Sequence, residues 1–151
     1  MSERLKINEE MTVGKSQPTE QEISALAAEG FGSVVDLRQA TEPNQPLPPS
    51  REREAVERGG MRYLHLPVVS DRLGDDTLDR FHEEVSRLPK PVFVHCASGK
   101  RSGTLALMHQ AVAERISGQE VARRADAAGV AYGPQDQRDD VAAFVDERSK
   151  G

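Results

Sequence analysis

Three short apolar runs rich in β-branched residues, each followed by a longer segment of helical spacing, constrain this chain more than any other feature. They are Ser33-Val34-Val35-Asp36-Leu37-Arg38, Arg62-Tyr63-Leu64-His65-Leu66-Pro67-Val68 and Pro91-Val92-Phe93-Val94-His95, and each reads as a buried strand. Strands kept apart by helices cannot pair as hairpins. They come together as a parallel sheet with right-handed crossovers and helices on both faces. The expected fold is a single α/β domain with a central, mostly parallel sheet of four to five strands.

The segments between the runs carry helix punctuation. Thr19-Glu20-Gln21-Glu22 is a capping box, followed by Ile23, Leu26 and Ala27 at helical spacing and Gly30 as a stop. Residues 43–49 contain four prolines and predict a loop, after which Ser50 is expected to cap a charged helix ending at Gly59-Gly60. Leu78, Phe81, Val85 and Leu88 form one apolar face, with Asp75 or Asp76 as the cap and Pro89 as the end. The segment from Thr104 to Ala113 is apolar almost all round and should be a central helix. Ser117 and Glu120 predict a second capping box for a helix ending at Gly129, and Val141, Phe144 and Val145 mark a last helix over 137–148. Met11-Thr12-Val13 is expected as an edge strand. With no repeat and no dividing linker, residues 1–151 read as one domain with its core over about 7–129.

The bulk properties narrow the function classes. A net charge of −5 without clustered basic residues argues against a nucleic-acid surface or a polybasic membrane patch. No apolar stretch approaches a membrane span, and Met1-Ser2-Glu3-Arg4 leads into no signal-peptide core, so the cytoplasm is the expected compartment. The single cysteine, Cys96, excludes an internal disulfide, and no Cys/His set has zinc spacing, so neither a metal nor a cofactor is expected. His65, His82 and His109 read as surface or core histidines. Oligomeric state is not legible.

The chemistry is concentrated in His95-Cys96-Ala97-Ser98-Gly99-Lys100-Arg101-Ser102-Gly103, between a strand and a helix. A free thiol titrates near about pH 8.5, and only its thiolate is an effective nucleophile. Backbone N–H groups at a strand-to-helix loop, the positive end of a helix and a nearby cation can together bring a cysteine down to roughly pH 3.5–7.5. Ala97, Ser98, Gly99 and Lys100 supply such a nest of donors, Arg101 supplies the cation, and Gly99 leaves the anion's place free of a side chain. The Ser102 hydroxyl is placed to donate to sulfur when it leaves. The loop reads as an anion cradle around a nucleophile. The bland reading of Cys96 is an inert buried residue, and its neighbours Gly99 and Arg101 weigh against it.

Sites in parallel sheets lie beyond the carboxyl ends of the strands. That rule gathers Arg38 to Glu42, Val68 to Asp71 and Cys96 to Arg101 on one rim. Arg38 and Glu42 read as an ion pair bracing the loop ahead of direct substrate contact.

His-Cys, a short Gly-containing loop, Arg and then Ser resembles the signature of protein tyrosine and dual-specificity phosphatases. The preceding Gly30 to Arg38 and Tyr63 to Val68 look like the two upstream strands of that superfamily. Those phosphatases place one residue more between cysteine and arginine than the four here, Ala97 to Lys100. The shorter spacing, Val13-Gly14-Lys15-Ser16-Gln17-Pro18-Thr19, and the element Leu37, Arg38 and Glu42 are similar to the bacterial family named after the phosphatase-like domain of beta-lactamase hydrolase-like proteins, over about Ile7 to Gly129. The resemblance implies a protein tyrosine phosphatase-like fold and a cysteine-dependent phosphatase acting on a phosphorylated protein or small phosphate ester. Cys96 would form a phosphocysteine, Arg101 would clamp the oxyanion, Asp71 would be the general acid, and His95 would stiffen the cradle by bonding to loop carbonyls. Members are also described as sulfur transferases. The loop fits the rhodanese pattern Cys-x-Ser-Gly-x-Arg-Ser, so a Cys96 persulfide charged by a sulfane-sulfur donor is the alternative. An inactive oxyanion-binding interaction module is the third reading.

Overall fold

The computed structural model describes residues 4–14, 18–39, 47–68, 75–96, 100–128 and 135–149. Among these residues five strands form one sheet: β1 (Arg4–Asn8), β2 (Met11–Gly14), β3 (Ser33–Asp36), β4 (Arg62–His65) and β5 (Val92–His95). Their spatial order is β1-β2-β5-β3-β4, with β2, β5, β3 and β4 parallel and β1 antiparallel to β2. Six helices accompany them among the described residues: α1 (Glu20–Glu29), α2 (Pro49–Arg58), α3 (Asp75–Ser86), α4 (Lys100–Glu114), α5 (Gly118–Ala128) and α6 (Gln135–Ser149). The α/β architecture expected from the alternating signals is the one observed.

The two-residue period of the strands sorts the core into two layers. Val34, Tyr63 and Phe93 face Ile23 and Leu26 of α1 and Val56 of α2. Their chain neighbours Val35, Val92 and Val94 face the larger layer, which contains Phe81, Leu105, Met108 and Phe144. Residues 102–111 of α4 are buried throughout, so its nearly uniform apolarity does place it centrally.

Three local expectations are corrected. Met11-Thr12-Val13 is no edge strand: β2 is buried and lies between β1 and β5, and the edge is the unanticipated β1, whose Arg4 and Lys6 break the apolar pattern. Ser50 does not cap α2. The helix starts two residues earlier, with Pro48 as N-cap and Pro49 in the first turn, where a missing N–H costs nothing and φ is already helical. Asp75 and Asp76 lie within the first turn of α3. At α1 the capping box forms as read, with Thr19 and Glu22 bonded reciprocally, and Gly30 closes the helix at φ +97°, a left-handed conformation suited to glycine.

Helix α6 is held to α3 by Arg148, whose Nε and Nη2 bond Asp79 at 2.9 and 2.8 Å while its guanidinium lies 3.7 Å from the centre of the Phe144 ring. Helices α3 and α4 meet at two histidines, with Nδ1 of His82 and Nδ1 of His109 2.9 Å apart. One neutral ring donates and the other accepts. Burial, reinforced by the charges of His82 and Lys90, brings His109 down from 6.5 to about 4. Burial also lowers His82; Asp79 and Glu83 oppose that shift and Arg148 adds to it. The unfolded chain therefore binds protons before the folded one does, and this contribution to stability, present above about pH 6.5, is lost as pH falls toward about 4. The melting temperature should drop across that window, and His109→Gln, which cannot titrate, should flatten the drop. An unchanged slope in the variant would assign the loss to other groups.

Candidate active site

The parallel register lines up Gly14, His95, Asp36 and His65 in one row across the carboxyl end of the sheet. Beyond that row the chain exits stay bonded: Leu37 N donates to His95 O and Leu66 N to Asp36 O, each at 3.0 Å, and Val68 N donates to Leu37 O at 3.0 Å. The rim that topology assigned to a site is thus fixed by backbone bonds where it is described.

Cys96 follows immediately after β5, flanked by β2 and β3, and is fully buried. Its Sγ lies 3.4 Å from Oγ of Ser102, in the first turn of α4, also fully buried. The sulfur therefore sits at the end of a central strand and at the N-terminus of a fifteen-residue helix, where unpaired N–H groups and the helix dipole favour an anion. Lys100 and Arg101 open α4; their side chains lie outside the described residues, as do Ala97, Ser98, Gly99, Asp71 and Glu42. Of the residues read from sequence, the structure brings Cys96, Ser102, His95 and Arg38 to one rim.

Alternation sends His95 to the opposite face from Cys96, toward α2, into a polar cluster that sequence reading missed. Arg38 is wholly buried. Its Nε donates to Asp36 Oδ1 at 2.9 Å, and its Nη2 bonds Asp36 Oδ2 at 3.0 Å, Glu52 Oε1 at 2.5 Å and the Leu47 carbonyl at 3.3 Å. Tyr63 donates its hydroxyl to Asp36 Oδ2 at 2.9 Å, and His95 Nε2 lies 2.6 Å from Glu52 Oε2. His95 therefore bonds a carboxylate on α2, where loop carbonyls were expected. Arg38 braces the rim through Asp36 and Glu52; the expected pairing with Glu42 falls outside the described residues.

Burial raises the Asp36 carboxyl, but the Arg38 hydrogen bonds and the charge of His95 more than reverse this and hold it below the usual carboxylate range. Burial and the Asp36 and Glu52 charges push the Tyr63 phenol up, so it remains a neutral donor. Among the described residues, Asp36, Glu52 and His95 are the one set whose donor atoms are close enough to share a metal ion, within 4.8 Å of one another. Here the Arg38 guanidinium already bonds both carboxylates. Glu52 had a faint signal in sequence: it lies three residues after Pro49 and four before Val56, on the inward face of α2.

A family model described as "Beta-lactamase hydrolase-like protein, phosphatase-like domain" matches residues 5–113. Beta-lactamase hydrolase-like proteins of Agrobacterium fabrum and Xylella fastidiosa are 30% and 33% identical over 118 and 128 residues, 78% and 84% of this chain. Those stretches are 27% and 28% of the relatives, so the chain spans little more than a quarter of their length. Among solved structures, a candidate phosphatase from Neisseria meningitidis Z2491 superposes with a TM-score of 0.75 at 23% identity, covering 93% of this chain and 96% of that one. PTPMT1 in complex with PI(5)P gives 0.77 at 16% identity, with 97% of both chains covered. A Cys→Ser form of P. aeruginosa TpbA in complex with phosphotyrosine gives 0.65 at 21% identity, covering 93% of this chain and 80% of that one. The fold is that of the protein tyrosine phosphatase-like proteins.

Proposed function

We propose that this chain, which belongs to the phosphatase-like domain family of beta-lactamase hydrolase-like proteins, is a cysteine-dependent phosphatase acting on phosphate monoesters. The observation that carries the reading is the placement of Cys96, buried at the end of the central strand, with its sulfur against Ser102 at the start of α4. In the proposed reaction the Cys96 thiolate attacks phosphorus in line, forming the S–P bond as the ester P–O bond breaks. Arg101 and the backbone N–H groups of residues 97–102 hold the equatorial oxygens where charge builds up. Asp71 gives a proton to the departing oxygen, and water then cleaves the phosphocysteine to inorganic phosphate and free thiol. Ser102, in contact with the sulfur, stabilises it as a leaving group in that second step. The phosphotyrosine and phosphoinositide bound by TpbA and PTPMT1 support phosphate esters as the substrate class.

The deciding experiment sets aryl phosphate hydrolysis beside intact-mass analysis after incubation with thiosulfate. Turnover of the aryl phosphate with no mass gain is the expected outcome. A gain of one sulfur atom on Cys96 without phosphate release would replace this reading with sulfur transfer. Arg101→Lys should lower kcat/KM for the aryl phosphate by about 10²-fold or more, because an ammonium cannot reproduce the bidentate fork. Activity within a few fold of wild type would remove Arg101 from the oxyanion site.

A further inference from the structure

We propose that the outer edge of β1 and the groove beside it bind an extended peptide segment of a partner protein. The segment carries a carboxylate between apolar residues and joins the sheet as a further strand. The proposal does not depend on the chemistry of Cys96.

Backbone alternation sets the edge. Val92 N donates to Glu10 O at 2.8 Å, which turns the even-numbered residues of β2 toward β5 and leaves Val13 facing β1. Val13 lies opposite Leu5, so Leu5 bonds inward and the N–H and C=O of Lys6 point away from the sheet. Among the described residues no strand pairs with that side of β1.

Beside this edge, β1, α4 and α5 line a groove of about 400 Å³, with Leu5, Ile7 and Leu107 as apolar contacts. Two polar side chains in it have bonding capacity left over. Gln110 of α4 is only 8% exposed; its Nε2 reaches the Ile7 carbonyl at 3.5 Å, and its Oε1 has no hydrogen-bond partner among the described residues. Arg124 of α5 is half-buried and forms no ion pair among the described residues, since the nearby Glu120 bonds Arg123. A guanidinium left over in a chain of net charge −5 is open to a carboxylate from outside.

Free backbone on one wall, apolar contacts and a cation on the opposite wall are the elements of strand addition, in which main-chain bonds give affinity and alternate side chains give specificity. Every second side chain of the added strand faces the groove. An apolar, an acidic and an apolar residue at alternate positions therefore match Leu5, Ile7 and Leu107 with Arg124. A second copy of β1, Arg4-Leu5-Lys6-Ile7-Asn8, has no carboxylate to offer. Gln110 lies ten residues along α4 from Lys100, about 15 Å at a rise of about 1.5 Å per residue, so a strand seated here leaves the Cys96 loop open.

The probe is a fluorescently labelled seven-residue peptide with valine, glutamate and valine at alternate positions and threonine elsewhere, titrated with the full chain. Saturable binding with a Kd below about 1 mM is expected, and its absence overturns the proposal. Replacing the peptide's glutamate by glutamine, or Arg124→Glu in the protein, should each weaken binding at least about tenfold. A peptide with lysine in that place should bind Arg124→Glu at least about tenfold more tightly than it binds wild type. In hydrogen exchange followed by NMR, saturating peptide should slow the wild-type Lys6 amide by about tenfold or more. Equal affinities across these pairs, or an unchanged Lys6 amide, overturn the assignment. Should Arg124→Glu fail to fold, the glutamine peptide and the wild-type exchange decide. Octanoate that binds the groove more tightly than the peptide would make it a site for small carboxylates, and a dimer of the free protein that Lys6→Pro dissociates would give the edge to a second copy. Either result overturns the proposal.

Discussion

Cys96→Ser is expected to lower aryl phosphate turnover by about 10⁴-fold or more while inorganic phosphate still binds. A serine hydroxyl at this position keeps the size of the side chain but yields no anion near neutral pH, and the helix terminus that favours a thiolate cannot bridge that gap. Ser102 offers no substitute: it is buried beside the sulfur, 3.4 Å away, and its hydroxyl meets the same limit on ionisation as the serine introduced at position 96. In the proposed site the oxyanion is held by backbone donors and Arg101 and not by the sulfur, so phosphate affinity measured by calorimetry should change by no more than a few fold. Retained turnover would move the nucleophile elsewhere. Loss of turnover together with phosphate binding would mean that Cys96 shapes the loop instead of attacking the substrate.

Arg38→Leu is expected to cost about 3–5 kcal/mol of stability, because it strips the guanidinium from two buried carboxylates and leaves their charge uncompensated. For a chain of this size that corresponds to a melting temperature lowered by roughly 10 °C. Arg38→Lys should fall between the two, since one ammonium cannot bond Asp36 and Glu52 with the same fork. Calorimetry with a denaturant titration would measure both. A loss below about 1 kcal/mol for Arg38→Leu would mean that the carboxylates find other partners or take up protons, and that the cluster is not a strut.

What was legible in the sequence followed from periodicity, and what was not followed from charge. The strands around Val34, Leu64 and Phe93 and the wholly apolar α4 are visible because burial on one or both faces writes itself into the spacing of apolar residues. Strand β1 is invisible because it is a half-exposed edge whose alternation is blurred by Arg4 and Lys6. Its presence moved Met11 to Val13 from the rim of the sheet to the interior. Cys96, His95 and Ser102 were singled out because the loop's composition has no packing explanation. Glu52 escaped because it sits in Arg51-Glu52-Arg53-Glu54, where a buried charge and its solvated neighbours look alike. Asp36 was the better clue: an acid within the buried strand Ser33-Val34-Val35-Asp36 requires a partner, and sequence does not say which cation the fold will bring to it.

Strand β5 lies between β2 and β3, which touch each other only through it. The three strands are far apart along the chain, so their pairing belongs to the late, entropically costly part of assembly. Seating β5 completes the sheet, and the same step sets His95 against Glu52 and Cys96 against α4. A partly assembled chain in this topology holds no weakened version of the site. It holds an ordinary cysteine, and in the proposed reading the surroundings that make Cys96 a nucleophile arrive only with tertiary structure.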